Sequence, residues 1–251
     1  MTPSAALRYI PLSKPLWLCV LTMGRTRLQL VATEGSSSAA VAFVDLAGSS
    51  AIADLFGDAA ALKIIDQFAD LVRSAIEGQG EVVKWIGDEA MLSFPDATKA
   101  LMALGRLIPS CRAVPEIPLT RTGIHLGSVM QRNGDIFGST VNIASRIAAM
   151  AAAGQVLASQ PVAEIAGALG ISSRKLGAVG LRSVAEPVTL HTLDLSEEVD
   201  PVWVDPVCKM LAPYAAFSRT DAGPWFCSDR CREAFRASPA TYLAASASVP
   251  G

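Results

Sequence analysis

The sequence predicts an α+β fold, a mixed β-sheet with helices on one side, followed by a small cysteine-rich module. Three observations predict it. Short apolar runs rich in Val, Ile and Phe alternate with segments whose apolar residues recur at three- and four-residue steps. Some neighbouring runs are joined by only a few turn-forming residues, which makes hairpins, so the sheet is not a doubly wound parallel one. Finally, of 5 cysteines in 251 residues, Cys208, Cys227 and Cys231 crowd into the last fifth of the chain.

Residues 39–44 are a continuous apolar run that reads as a buried strand; it ends at Asp45, before the flexible turn Gly48-Ser49-Ser50. Asp58 can cap a helix carrying Leu62, Ile65, Phe68, Val72 and Ile76 along one face, ending near Gly78 and Gly80. Residues 81–86 and 90–94 read as a hairpin with Gly87-Asp88 at its tip. A helix over 97–108 carries Leu101, Leu104 and Ile108, a strand covers 121–128, and Asn133-Gly134 is a turn. The next helix, over 140–150 and capped by Ser139 or Thr140, sets Asn142 and Arg146 at i and i+4 on one face. A helix over 160–169 and a hairpin of 175–181 with 188–193 close the domain.

Lys and Arg number 21 against 23 Asp and Glu, so a net charge of −2 gives no reason to expect a nucleic-acid polymer, and phosphate recognition must be local. Residues 16–23 are apolar but far short of the ~20 needed to cross a bilayer; no membrane span is expected and the protein is expected in the cytoplasm. An odd number of clustered cysteines fits thiolate metal chemistry better than a disulfide framework. The expected organisation is an extension over 1–37 with a linker at 35–38, a main domain over 38–195, a linker over 196–204 and a module over 205–245.

The runs FVDLAGSS, KWIGDEAM, RTGIHLG and GDIFGSTVNIASR, in that order and with Asp45 and Asp88 about 43 residues apart, resemble the class III nucleotidyl cyclase catalytic domain. The resemblance covers roughly residues 39–195 and implies a ferredoxin-like mixed sheet. It assigns Asp45 and Asp88, with the Leu46 carbonyl, to two Mg²⁺ or Mn²⁺ ions, a hard-oxygen donor set suited to cations that also bind phosphate. IGDEAM also resembles the GGDEF signature of diguanylate cyclases, but Ile86 and Ala90 depart from it, and the downstream Asp, Asn and Arg have no place there.

In the resemblance Lys84 and Asp135 read the base. Adenine offers an acceptor at N1 and a donor at N6, which this pair matches; guanine would leave both mismatched, at about 1–3 kcal/mol per buried unsatisfied group. Relatives that use GTP typically carry other types, such as Glu and Cys, so the implied substrate is ATP. Asn142 would orient the ribose, and Arg146 would stabilise charge on the phosphoryl oxygens in the transition state. Arg121 and Arg182 align with basic positions that touch the terminal phosphates; at the second the family more often has Lys-Gly where this chain has Arg182-Ser183. In this family the metal acids come from one subunit and the base and Asn-Arg groups from the other, so a head-to-tail homodimer is implied. The rival reading from another class is a catalytically silent cyclase-like domain that binds nucleotide while the tail senses metal or redox state.

The tail reads Cys-x18-Cys-x3-Cys within DPVCKM and WFCSDRC, with Phe235 and SPATY following. It resembles the YHS family of small metal-associated modules, whose usual members have Gly where Lys209 stands. So few residues cannot close a core unaided, which calls for a staple. Three thiolates at Cys208, Cys227 and Cys231 suit Zn²⁺ or Cu⁺, with Asp205, Asp229, Met210, water or another chain as a fourth ligand, and a metal there could modulate cyclase output.

Overall fold

The computed structural model describes residues 36–213 and 223–244; the rest of the amino-terminal extension lies outside the described residues. In chain order the elements are β1 (Ser36–Leu46), α1 (Ser49–Phe56), α2 (Asp58–Ile76), β2 (Glu81–Ile86), β3 (Glu89–Phe94), α3 (Ala97–Arg112), β4 (Thr120–Arg132) and β5 (Asp135–Phe137). There follow α4 (Ser139–Met150), β6 (Val156–Ser159), α5 (Gln160–Ala168), β7 (Ser173–Val179), β8 (Val188–Leu193), a 3₁₀ turn (Pro201–Trp203), α6 (Asp229–Ala237) and α7 (Pro239–Ala244).

The sheet is mixed, in the order β2-β3-β1-β4-β6-β8-β7, with β5 hairpinned onto β4. The β4–β6 pair is parallel and the other named pairs are antiparallel. Helices cover both faces, which corrects the expectation of helices on one side. Ala40, Ala42 and Val44 of β1 pack with Phe68 and Val72 of α2 and Leu101 and Leu104 of α3. The alternate residues Val41 and Phe43 pack with Ala144 and Ala148 of α4 on the opposite face. The unbroken apolar run of β1 is what a strand buried on both sides requires.

Several boundaries differ from the sequence expectations for local physical reasons. Ser36, Ser37 and Ser38, expected in a linker, extend β1 along the long β4 in register with Met130, Val129 and Ser128. The Gly-Ser-Ser turn opens helix α1 instead of a loop, and Gly57 (φ 85°) separates α1 from α2. Asp58 is therefore the first helical residue and not a cap, and Leu62 is exposed. Gly138, not Ser139 or Thr140, precedes α4; the Thr140 hydroxyl donates to the Ser128 carbonyl instead, at 2.7 Å.

The described residues beyond 200 pack on the main core. Val207, Cys208 and Cys231 are buried in the same cluster as Phe68 and Leu104, with Phe226, Phe235 and Tyr242 packed against it. The backbone joins too: Leu119 N–H donates to the Lys209 carbonyl at 3.0 Å, and Pro118 bridges Met210. Among the described residues no helix is long and apolar enough to cross a membrane.

Candidate active site

Asp45 lies at the carboxyl end of β1, paired in register with Glu89 on one side and Arg121 on the other, while Asp88 occupies the β2–β3 turn. The sheet thus concentrates three carboxylates and one guanidinium at one strand end. Arg121 Nε donates to Asp45 Oδ2. Burial nonetheless raises the Asp45 carboxyl to about 6, with Arg121 opposing the shift and Asp88 adding to it through its charge and a shared hydrogen bond. Glu89 is pushed up to about 7 by burial and then by the charge of Asp45. Carboxylates crowded at one strand end are relieved of mutual repulsion by a divalent cation, so Asp45 and Asp88 fit hard-metal ligation. Glu89 was not singled out in the sequence, although it follows Asp88 directly and shares its hairpin.

Lys84 and Asp135 are 51 residues apart, yet Lys84 Nζ donates to Asp135 Oδ2 at 2.6 Å. They meet because the β4–β5 hairpin curls back over the sheet: Ile136 and Val129 pack with Val41, Phe43 and Met91, with Val83 of β2 against them. The lysine and a backbone bond from Ile136 N–H hold the Asp135 carboxyl below its ordinary value. The Phe137 ring lies 5.9 Å from Lys84 Nζ and is itself exposed, an aromatic neighbour that the sequence reading missed.

Asn142 and Arg146 lie on α4 as expected, Asn142 exposed and Arg146 half-buried. Arg146 Nε is buried without a hydrogen-bond partner. Arg182 is exposed in the β7–β8 connection, at the opposite edge of the sheet from Lys84. Its neighbour Ser183 has φ 61°, the left-handed conformation that glycine adopts most readily.

In the tail, Cys227 Sγ lies 3.5 Å from Cys208 Sγ and 3.5 Å from Cys231 Sγ. Hydrogen bonds from both neighbouring thiols push the Cys227 thiol down, while the same contacts and burial push Cys208 up. Asp205, fully buried, completes a group whose ligand atoms all lie within 4.8 Å of one another. Lys209 has φ 59°, the left-handed conformation that glycine adopts most readily.

The fold and these motifs define a nucleotide cyclase catalytic domain. Residues 31–194 match the adenylate and guanylate cyclase catalytic domain, and the chain belongs to that family. It is 32% identical over 133 residues to the pH-sensitive adenylate cyclase MT1302 of Mycobacterium tuberculosis, covering 53% of this chain and 34% of that protein. It is 35% identical over 121 residues to an adenylate cyclase of Streptomyces griseus, covering 47% and 30%. The chain thus spans about a third of the length of these curated relatives. The fold matches the adenylyl cyclase CyaB of P. aeruginosa with a TM-score of 0.59 at 19% identity, over 65% of this chain and 97% of that one.

Proposed function

We propose that the protein is a cytoplasmic adenylate cyclase, converting ATP to 3′,5′-cyclic AMP and pyrophosphate at sites shared between two copies of the chain. The observation that carries the ATP reading is the Lys84–Asp135 pair, a cationic donor and a carboxylate acceptor held side by side at 2.6 Å. That is one donor and one acceptor for adenine N1 and N6, and the wrong polarity for guanine.

Asp45, Asp88 and the Leu46 carbonyl would hold two Mg²⁺ or Mn²⁺ ions. When bound, such ions lower the pKa of the ribose 3′-hydroxyl and neutralise the departing pyrophosphate. Arg146 brings a permanently charged fork, with a buried Nε still lacking a partner, to the phosphoryl oxygens whose charge shifts in the transition state. Asn142 orients the ribose, and Arg121 and Arg182 take the terminal phosphates.

Sharing between copies is supported by the placement of these groups. Lys84 and Arg182 sit at opposite edges of one sheet. Met130 and Phe137, cross-strand partners on the β4–β5 hairpin beside the base-reading pair, are large apolar side chains left exposed in the single chain. The tail is read as a YHS-like module whose cysteines take Zn²⁺ or Cu⁺ and modulate turnover.

Purified protein given ATP with Mn²⁺ or Mg²⁺ is expected to release cyclic AMP and pyrophosphate, and to use GTP at least about tenfold less well. Equal use of GTP would overturn the base-reading assignment, and no product from either nucleotide would overturn the cyclase reading.

A further inference from the structure

We propose that Asp205, Cys208, Cys227 and Cys231 bind one thiophilic d¹⁰ cation, Zn²⁺ in the first instance, and that its occupancy fixes residues 47–56, the segment that follows the catalytic acid Asp45. Only the activity arm of this proposal rests on the cyclase reading.

The donor set is built for a soft ion. The Sγ separations of 3.5 Å are near the ~3.8 Å edge of a tetrahedron with Zn–S bonds of about 2.3 Å, and they are far too long for disulfides. Asp205 is fully buried, and its two carboxylate oxygens accept the backbone N–H groups of Val207, Cys208 and Cys227. It therefore ties together the two segments that carry the first two sulfurs, and it stands as the fourth donor. Ser228 caps α6 by accepting from Cys231 N–H, which sets the third sulfur in the first helical turn. The buried Lys209 ammonium, held by the Pro206 carbonyl, adds positive charge beside an otherwise anionic cluster.

What makes the site regulatory is where its residues press. A Cβ placed on Gly48 would come within 2.8 Å of the Cys208 carbonyl carbon and oxygen, so the first cysteine's backbone lies directly on the loop after Asp45 and Leu46. The Lys209 carbonyl accepts from Leu119 N–H, and the Leu119 carbonyl accepts from Ala47 N–H, a two-bond relay from the cysteine loop into the same turn. Leu119 also leads into β4, whose Arg121 grips Asp45. At the other end of α1, Arg230 of α6, next to Cys231, donates to the Leu55 carbonyl at 3.0 Å and covers the Phe56 ring at 5.7 Å. The module thus holds both ends of α1, one through the Cys208 loop and one through α6, and a cation joining the sulfurs makes those two grips one rigid body.

The test uses the full chain, reduced and stripped of metal, with and without one equivalent of ZnSO₄ and, in a parallel anaerobic arm, with one equivalent of Cu⁺. The expected results are one retained Zn²⁺ per chain by elemental analysis, slower amide hydrogen exchange over residues 47–56 by about fivefold or more, and cyclic AMP formation raised about threefold. Cys227→Ser with Cys231→Ser should abolish Zn²⁺ retention and both responses. Arg230→Ala, an exposed position, should keep the Zn²⁺ and lose most of the protection at 53–56. Retention of Cu⁺ instead, with the same protection, supports the site and changes only the preferred ion. Failure to retain either ion overturns the site. Retained Zn²⁺ with unchanged exchange over 47–56, or protection that persists in the double cysteine variant, overturns the coupling. Zn²⁺ binding and protection in a protein that makes no cyclic AMP would uphold this inference while overturning the substrate reading.

Discussion

The acid cluster at the end of β1 and the sulfur cluster of the tail sit on two sides of one turn, and they differ in almost every physical respect. Asp45, Asp88 and Glu89 are hard oxygen donors at a strand end, with Arg121 half-exposed against them. Cys208 and Cys231 are buried soft donors set in the main hydrophobic cluster. Under the proposed reading, a site of the first kind would exchange ions and phosphate with solvent, and one of the second kind would hold what it binds. Gly48 belongs to both, since it follows Asp45 by three residues and lies directly against the Cys208 backbone. Function and control can therefore share one loop without sharing a ligand.

The sharpest way to break this division is to alter the nucleotide side alone, at the base-reading pair. Lys84→Glu with Asp135→Cys should lower kcat/KM for ATP about 100-fold and leave Zn²⁺ retention unchanged. A loss of both would mean that the two regions are not separable.

The shared turn can be probed with two glycines that both have positive φ. Gly48 (φ 82°) faces the Cys208 backbone, whereas a Cβ on Gly87 (φ 64°) meets nothing within 4 Å. Gly87→Ala should cost about 1 kcal/mol of strain alone, and Gly48→Ala about 2–3 kcal/mol together with lower Zn²⁺ affinity. Equal melting temperatures for the two variants would remove Gly48 from the argument.

The smallest effect is a pH slope. Asp45 and Glu89 hold their protons up to about 6 and about 7, above ordinary carboxyl values. The folded state then binds more protons than the unfolded one between about pH 4 and 7, so these groups make stability fall as pH rises through that window. Metal-free protein should lose Tm steadily across that window, and millimolar Mn²⁺ or Asp45→Asn should flatten the slope. An identical slope in Asp45→Asn would contradict the assignment.

Much of this was legible in the sequence, for reasons that can be named. The apolar run of β1 and the hairpin around Gly87-Asp88 are local signals that placed Asp45 and Asp88, and the helix read over 140–150 placed Asn142 and Arg146 on one element. The four-residue β6 was too short to carry a period, and α1 hid behind a Gly-Ser-Ser run that reads as a turn. Periodicity shows that α4 has an apolar side but not which face of the sheet receives it, hence the expectation of helices on one side. The curl that brings Asp135 to Lys84, and the docking of Cys208 on Gly48, are long-range contacts with no local signature in either segment.

The central claim is that two copies of the chain build each catalytic site together, acids from one and base- and phosphate-gripping groups from the other. Asp45→Ala and Arg146→Ala should each make almost no cyclic AMP alone. Mixed under conditions where heterodimers are confirmed by mass, they should recover up to about a quarter of wild-type activity, because half of the dimers are mixed and each mixed dimer keeps one intact site. Confirmed heterodimers that stay silent, or either variant active alone, would contradict the account.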